Sequence, residues 1–285
     1  MAKLAGHRRF RSYRWGNTRL AGKSMTPVNT AIADGRLKDA IGIQMQAVAD
    51  RPDDPSARLL LFELLTVAGQ FPEARDQLRA IKMDDPDWRD TRRRFGRLLQ
   101  AASRRDQSKR PAVASPVPAH LRQRWRATRA IRSGEVVEAI RHIDRADARS
   151  PIVEGFIDGR EFEGLRDADD RHGSVLEVFV EDTYCWFPFE QIRKLTLLPV
   201  VGLLDAIYRP ARLTLNDQIE QAVLVPLVYP LSHEVDGSFA LGHDTDWPDV
   251  GGPVCGIGAK IWLLGEEEGK LGEYRQLEIR KARIT

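Results

Sequence analysis

Two consecutive stretches near the beginning of the chain repeat one pattern of small, apolar and proline residues. The four matched pairs, each 34 residues apart, are Gly35 and Gly69, Ala40 and Ala74, Ala47 and Ile81, and Pro52 and Pro86. A repeating unit of this length cannot bury its apolar face alone, so neighbouring units have to stack against one another. The repeat therefore predicts a stacked array in the first half of the chain.

The residue types at the matched positions are those of a helical hairpin. Glycine allows the sharp turn between two paired helices, and alanine lets the helices approach closely. Each proline ends the second helix, because the residue before a proline is steered away from helical angles. Broad apolar helical faces between these positions are formed by Leu59, Leu60, Phe62, Leu65 and Leu78. The period is that of the tetratricopeptide repeat.

The array is expected to be interrupted after its second unit. The pattern predicts a long polar helix from about Asp87 to Asp106. The proline-rich segment 108–118 predicts a linker rather than a helix or strand. A third helical hairpin is predicted from about His120 to Ala148, with its glycine, alanines and proline at the same internal spacing but out of register.

After Pro151 the sequence becomes richer in glycine, tryptophan and β-branched residues. Strands are predicted at Val175–Val180, Tyr184–Phe187, Arg212–Leu215, Val223–Val228, Lys260–Leu264 and Tyr274–Ile279, and short helices at Phe189–Lys194 and Val201–Ile207. This half is expected to be an antiparallel, partly closed β domain. The fold class is therefore α+β, with N-terminal TPR-like helical hairpins followed by a C-terminal β-rich domain with short helices.

The sequence divides into five expected segments. These are a basic extension (1–24), TPR-like helical repeats (25–107), the proline-rich linker (108–118), the third helical hairpin (119–150) and the β-rich domain (151–285). The extension carries seven Lys or Arg residues and no acid. It fits either a solvated, disordered tail or a translated sequence upstream of a start at Met25.

Composition argues against several classes of partner. No stretch approaches the ~20 uncharged apolar residues that a membrane-spanning helix needs, so no membrane partner is expected. Arginines cluster over residues 89–97, but Asp85, Asp87 and Asp90 precede or interrupt this basic run, which argues against a nucleic acid partner. Cys185 and Cys255 form no CxxC pair, so no zinc site and no cofactor are expected. Two isolated thiols fit a reducing cytoplasm.

Stacked helical hairpins leave a concave groove that is lined by the first helix of each pair. Such grooves commonly hold a peptide or helix of a partner protein. Alignment on the glycines predicts that the groove is lined by Leu59, Glu63, Thr66 and Val67 in the second unit and by Arg124, Thr128 and Ile131 in the third. The apolar members fit equally well as packing contacts between helices, so both interpretations stay open.

The densest polar cluster lies early in the β domain and contains Asp167, Asp169, Asp170 and His172. Paired carboxylates beside a histidine suit acid–base chemistry or metal binding. A metal-dependent enzyme using these four residues is therefore the alternative function. Alternating Arg and Asp in a turn more often neutralise each other and bond the local backbone, so we expect no catalytic and no metal site.

Secondary surface candidates come from the same cluster and from one aromatic residue. They are Arg166, Asp167, Asp169, Asp170 and Trp247. A tryptophan in a polar loop fits a binding anchor, or a plug for the open end of the β domain. We favour the plug.

A series of short runs in the β-rich half forms a distinctive combination. The runs are FEGLRDADDR at 162–171, WFPFEQI at 186–192, RPA at 209–211, TDW at 245–247 and GIG at 256–258. Together they resemble the ImpE family, also called TagJ or SciE-like. The similarity extends through the repeats and covers roughly Thr26 to the C-terminus.

The resemblance implies a non-enzymatic accessory component of a bacterial type VI secretion system. It implies a sheath subunit as partner, bound through a short amphipathic helix, and a ClpV-type ATPase that disassembles the contracted sheath as a further partner. A helical-repeat groove suits the capture of such a helix. The residue pattern and the resemblance therefore lead to the same expectation of a cytoplasmic adaptor.

Overall fold

The structure is a computed structural model that describes residues 26–113, 116–249 and 251–283. The basic extension 1–24 and the alternative start at Met25 lie outside the described residues. Its helices are α1 (Pro27–Ala33), α2 (Leu37–Asp50), α3 (Pro55–Val67), α4 (Phe71–Ala80), α5 (Trp88–Asp106), α6 (Ala119–Arg132), α7 (Val136–Asp147), α8 (Leu203–Ile207) and α9 (Gly237–Ala240). Helices α1 to α7 form the N-terminal array, and α8 and α9 belong to the β half.

Three helical hairpins share one design. The pairs α1–α2, α3–α4 and α6–α7 each turn at a glycine with positive φ, namely 75° at Gly35, 69° at Gly69 and 72° at Gly134. One turn later an alanine lies at the helix crossing and is fully buried in all three hairpins: Ala40, Ala74 and Ala139. The repeat markers therefore have the roles that the sequence predicts, because only small residues fit a left-handed turn and a close crossing.

Local capping fixes where some of these helices begin. The side chain of Asp54 accepts hydrogen bonds from the backbone N–H groups of Ser56 and Ala57, at 2.9 and 3.1 Å, and Pro55 follows as the first residue of α3. A carboxylate satisfies N–H groups that have no partner within the helix, and proline is preset for the first helical position. Helix α5 begins one residue after the predicted start and ends at the predicted Asp106.

The β half is built mainly on one sheet, which has nine strands in the described residues. Its strands are β1 (Ala112–Val113), β2 (Ile152–Ile157), β3 (Arg160–Glu163), β5 (Val175–Val180), β6 (Thr183–Pro188), β7 (Ile192–Leu197), β8 (Tyr208–Leu215), β9 (Glu220–Pro226) and β14 (Gln276–Arg283). Their order across the sheet is β1-β6-β5-β9-β8-β7-β14-β2-β3. Neighbouring strands are antiparallel except β1 and β6, which are parallel. Within the described residues the ladder runs from β1 to β3 without closing.

Two smaller sheets complete this half. One is three-stranded and contains β4 (Leu165–Asp167), β12 (Ile261–Leu264) and β13 (Glu267–Lys270). The other pairs β10 (Thr245–Asp246) with β11 (Ile257–Gly258). The α+β fold class with helical repeats before a β-rich half is thus confirmed.

Two sequence-based expectations differ from the structure. The segment predicted as a linker contains the short strand β1, because Ala112 and Val113 complete one edge of the large sheet beside Cys185 and Trp186. The helix predicted at Phe189–Lys194 is a single 3-10 turn over Phe189–Gln191, followed directly by β7. Pairing of β7 with both β8 and β14 stabilises the strand, and this long-range contact overrides local helix propensity.

Each face of the large sheet is covered by a different layer. One face packs on the helices, where Phe62 and Leu99 share a core with Phe179 and Trp186. The opposite face shares its core with Trp262 of the small three-stranded sheet. Strand β5 alternates between the two cores and is buried on both faces.

The turns of the first two hairpins press against the β half. A side chain at Gly35 would come within 3.0 Å of Ser238, and one at Gly69 would collide with the imidazole ring of His233. The matching Gly134 of the third hairpin has open space at this point. Gly35 and Gly69 therefore serve both the turn and the contact between the two halves.

We predict that Gly69→Ala destabilises the protein more than Gly134→Ala. Both substitutions place a residue with a Cβ in the left-handed region of the backbone, which costs about 1–2 kcal/mol of folding free energy. Only the first also displaces His233, so its free energy of unfolding should fall by roughly 1–3 kcal/mol more. Urea unfolding of both variants measures the difference, and equal losses would show that the turn does not bear on the β half in solution.

Candidate functional site

A single charged side chain interrupts the apolar strand β5. Glu177 lies in the run Val175–Val180 and points to the helix-facing side with Val175 and Phe179, while only 1% of its surface is exposed. An unpaired carboxylate at such a position would cost several kcal/mol of desolvation. Glu177 must therefore find its counter-charges inside the protein.

Two cations from distant parts of the chain supply these charges. Arg105, near the end of α5, binds both carboxylate oxygens of Glu177, with Nε to Oε1 at 2.9 Å and Nη2 to Oε2 at 2.5 Å. Lys260, just before β12, places its Nζ 2.7 Å from Oε2. Arg105 also donates to the backbone carbonyl of Val228 at 2.7 Å. This three-charge group joins the helical array, the large sheet and the small sheet.

Neutral and aromatic groups complete the surroundings of Glu177. The hydroxyl of Tyr184 donates to Oε1 at 2.9 Å and accepts from the indole N–H of Trp186 at 2.6 Å. The His172 Nε2 lies 3.4 Å from the same oxygen. Although burial alone would raise it, the pKa of Glu177 is held well below its usual range by Arg105 and Lys260. Glu177 therefore favours the folded state above the usual glutamate pKa, and this contribution is lost as the pH falls through its folded pKa.

The predicted acidic cluster lies beside this group and is fully engaged with donors. Asp167 accepts from the Tyr229 hydroxyl at 2.9 Å and from the backbone N–H of Asp169 at 2.9 Å. Asp169 accepts from the Arg171 guanidinium and, at 2.8 Å, from the backbone N–H of Gly256. Both aspartates are buried, so the expectation that Asp167 and Asp169 are surface residues is wrong. They brace a turn, as the alternating Arg–Asp sequence indicates.

The outer part of the cluster is engaged in the same way. Asp170 pairs with Arg166 at 2.8 Å and accepts from the backbone N–H of Val254 at 2.8 Å. The carboxylate oxygens of the three aspartates accept hydrogen bonds from N–H and O–H donors. This geometry therefore gives no support to the alternative function as a metal-dependent enzyme. Within the described part of the chain, no three His, Cys, Asp or Glu side chains come together in a metal-binding arrangement.

Trp247 packs over the polar cluster rather than standing free. Its ring lies edge-on to Tyr229, with centroids 5.5 Å apart, and is partly exposed. Gly256 lies against both rings, where a larger residue would collide. This placement fits a plug that covers Tyr229.

Of the residues predicted to line a groove on α3, two are interior. Thr66 and Val67 are buried, and the Thr66 hydroxyl bonds the Phe62 carbonyl at 2.7 Å. Leu59 is partly exposed and packs on the helical core. The expectation of an open groove is wrong for these two residues, because Thr66 is buried and Val67 is part of the core that the helices share with the large sheet.

Glu63 stands at the contact between α3 and α8. Its Oε1 faces Gly202, where an added Cβ would lie 3.4 Å away, an ordinary contact distance. Burial raises the pKa of Glu63 to about 8, and the neighbouring Asp205 carboxylate adds to the rise. Glu63 is therefore a carboxyl that is largely protonated near neutral pH at the boundary between the halves.

The third-unit residues meet the turn that carries the acidic cluster. Arg124 is fully buried and donates to the Asp170 carbonyl at 2.9 Å, and it also pairs with Asp147. The Thr128 hydroxyl lies 3.3 Å from the Arg171 carbonyl. Ile131 is half-buried. Arg124 is thus an internal clamp between α6 and the β half, which corrects its assignment to an open groove.

A further contact between the helical array and the β half was not predicted from the sequence. The Ser174 hydroxyl lies 3.2 Å from His120 Nδ1, and His120 Nε2 lies 2.6 Å from Glu190 Oε1. Although this is the residue set of a hydrolytic triad, Ser174 is buried and shares its hydroxyl with Ser150 at 2.9 Å. The set pins the start of α6 to the sheet.

The sequence contains a signal for two members of the buried charged group, Glu177 and Lys260, that were not predicted as site residues. Glu177 is the only charge between Val175 and Val180, and Lys260 directly precedes the apolar strand β12. A lone charge in a strand that is buried on both faces indicates a buried ion pair. Arg105 carries no such signal, because it is one of many arginines in α5.

We predict that Glu177→Gln lowers the free energy of unfolding by about 3–5 kcal/mol, because it leaves Arg105 buried without its counter-charge and leaves Lys260 with only Asp167, 3.4 Å away. The matched control is Glu181→Gln, which removes the exposed pair with Arg97 at the end of the same strand. Exposed pairs contribute only ~0–1 kcal/mol. Chemical denaturation of both variants tests this, and similar losses would contradict a dominant role for the buried group.

We predict that Glu63→Gln changes how stability depends on pH. Since the pKa of Glu63 rises from 4.5 to about 8 on folding, the folded chain binds more protons than the unfolded chain between these values. Stability then falls as the pH rises through this window.

The Glu63→Gln variant should gain about 1–2 kcal/mol over the parent at pH 8.5 and nothing at pH 4, with the gain limited by the partial exposure of the side chain. Glu73→Gln, at an exposed site in α4, is the control. Thermal unfolding across this range provides the measurement. A gain that does not depend on pH would contradict the assignment.

Comparison with known proteins agrees with this architecture. Residues 159–278 match the family model described as ImpE protein, and residues 31–101 match a tetratricopeptide repeat. A crystal structure of protein VPA1032 from Vibrio parahaemolyticus superimposes with a TM-score of 0.82 at 23% identity, covering 90% of this chain and 98% of that one. This likeness shows a shared fold.

One curated relative matches nearly the whole chain. It is the type VI secretion system accessory component TagJ of Pseudomonas aeruginosa, 30% identical over 277 residues, which are 94% of this chain and 96% of the relative. The match spans both the helical array and the β half. The chain therefore belongs to the ImpE/TagJ family.

Proposed function

We propose that this chain is a non-enzymatic accessory protein of a bacterial type VI secretion system. The observation that carries the proposal is the end-to-end similarity to TagJ, which includes both halves and leaves no large part of either chain unmatched. The helical hairpins support a role in binding protein partners. The cluster of Asp167, Asp169 and Asp170 supports a structural role, because its charged groups pair with neighbouring groups of the protein.

The partner that fits best is a sheath subunit that presents a short amphipathic helix, with a ClpV-type ATPase as a second partner. Helical-hairpin arrays are suited to bind helices through side chains at helical spacing. The adaptor would then connect the sheath to the machine that disassembles it. A cytoplasmic location suits this role, and both Cys185 and Cys255 are free thiols. None of the helices in the described residues has the length and apolar character to cross a bilayer.

We predict that the full chain co-purifies with the small sheath subunit from cells that express both. Deletion of the amphipathic helix from that subunit should abolish recovery, because the helix supplies the contact. If both forms of the subunit are retained equally, or neither is, the proposed partner is wrong. Addition of the ATPase to the washed complex tests the second link, and we expect it to be retained only when the adaptor is present.

A further inference from the structure

A small cavity opens where α6 meets the edge of the large sheet. It has a volume of about 170 Å³. Its apolar walls are Pro111, Val113, Val117, Leu121, Trp125 and Trp186. Strand β1 is the outermost strand of the sheet among the described residues, so the cavity lies near that edge. The space is enough for one bulky apolar side chain.

The rim of this cavity is positively charged. Arg110, Arg122 and Arg126 border it, and among the described residues no Asp or Glu lines it. Arg110 and Arg129 both stack near the Trp125 ring, with guanidinium carbons 4.9 and 5.2 Å from its centroid. The side chains of Arg110, Arg126 and Arg129 are exposed.

Two of the rim arginines, Arg122 and Arg126, lie four residues apart on α6. Arg129, which stacks near Trp125 but does not line the cavity, follows three residues later, so the three arginines share one face of the helix. A second helix laid along α6 with acids at the same spacing would meet all three. Its apolar side chain between these acids would enter the cavity next to Trp125.

We infer that this arginine-rimmed cavity is the docking site for an acidic amphipathic helix of a partner protein, with one apolar side chain as its anchor. The inference rests on the proposed function and adds the place and the chemistry of partner capture. An apolar pocket for one side chain favours a protein over a nucleic acid, since phosphates need cations but no such pocket. The basic residues 1–24 of the chain itself carry the wrong charge to occupy it.

The probe is a fluorescein-labelled helical peptide of about 18 residues, long enough to form a helix on binding. It carries glutamates at i, i+4 and i+7 and one phenylalanine at i+3. Two matched peptides replace the glutamates by glutamine or the phenylalanine by alanine. Fluorescence anisotropy with the full chain measures the affinity of each.

We expect the acidic peptide to bind, and each matched peptide to bind at least about tenfold more weakly. The double substitution Arg126→Glu and Arg129→Glu should weaken binding to a similar degree. The control substitutes Arg92 and Arg93 by glutamate on the exposed face of α5 and should leave binding unchanged. No detectable binding, or equal binding to all variants, would overturn the inference. Displacement of the peptide by a short oligothymidine would also overturn it, because a nucleic acid would then be the better ligand.

Co-purification separates this inference from the proposed function. If the sheath subunit is retained by the Arg126→Glu/Arg129→Glu variant as well as by the parent chain, the proposed function stands and the site is wrong. If no sheath subunit is retained but the acidic peptide binds selectively, the site stands and the proposed partner is wrong.

Discussion

A carboxylate between a helical layer and a sheet has to be neutralised by groups that the fold itself brings to it. Glu177 meets this condition by pairing with Arg105 from α5 and with Lys260, which directly precedes β12 of the small three-stranded sheet. Since side chains alternate along a strand, a slip of one residue in β5 would turn Glu177 towards the opposite core. The pairing therefore fixes both the register of β5 and the seat of α5 on the sheet.

The same constraint explains why the acidic turn is so heavily bonded. Asp167 contacts Lys260 at 3.4 Å and connects Glu177 to the turn that Asp169 and Arg171 brace. A half-satisfied network in a dry interior is costly, whereas a complete one specifies a single arrangement. The cluster that resembles a catalytic site in the sequence is in the structure part of the joint between the halves.

The packing of the β half against the helical array limits which surfaces of the array a partner can reach. The first two hairpin turns, α3 and the buried face of α6 all contact the β half, through Gly35, Gly69, Glu63 and Arg124. The side of the array that an isolated repeat protein offers to peptides is here occupied by its own chain. The outer face of α6 with its arginines stays exposed, near the edge of the sheet.

Residues close together in the chain define the helical hairpins, their glycine turns and alanine crossings, and the α+β order of the halves, so these features could be predicted from the sequence. The family could be identified in the same way, through runs that act in combination. The internal positions of Arg124, Thr66 and Val67, the strand β7 in place of a helix and the edge strand β1 became evident only in the folded protein. Each of these depends on contacts between residues far apart in sequence, and local propensity carries no information about which distant surface will cover a given face.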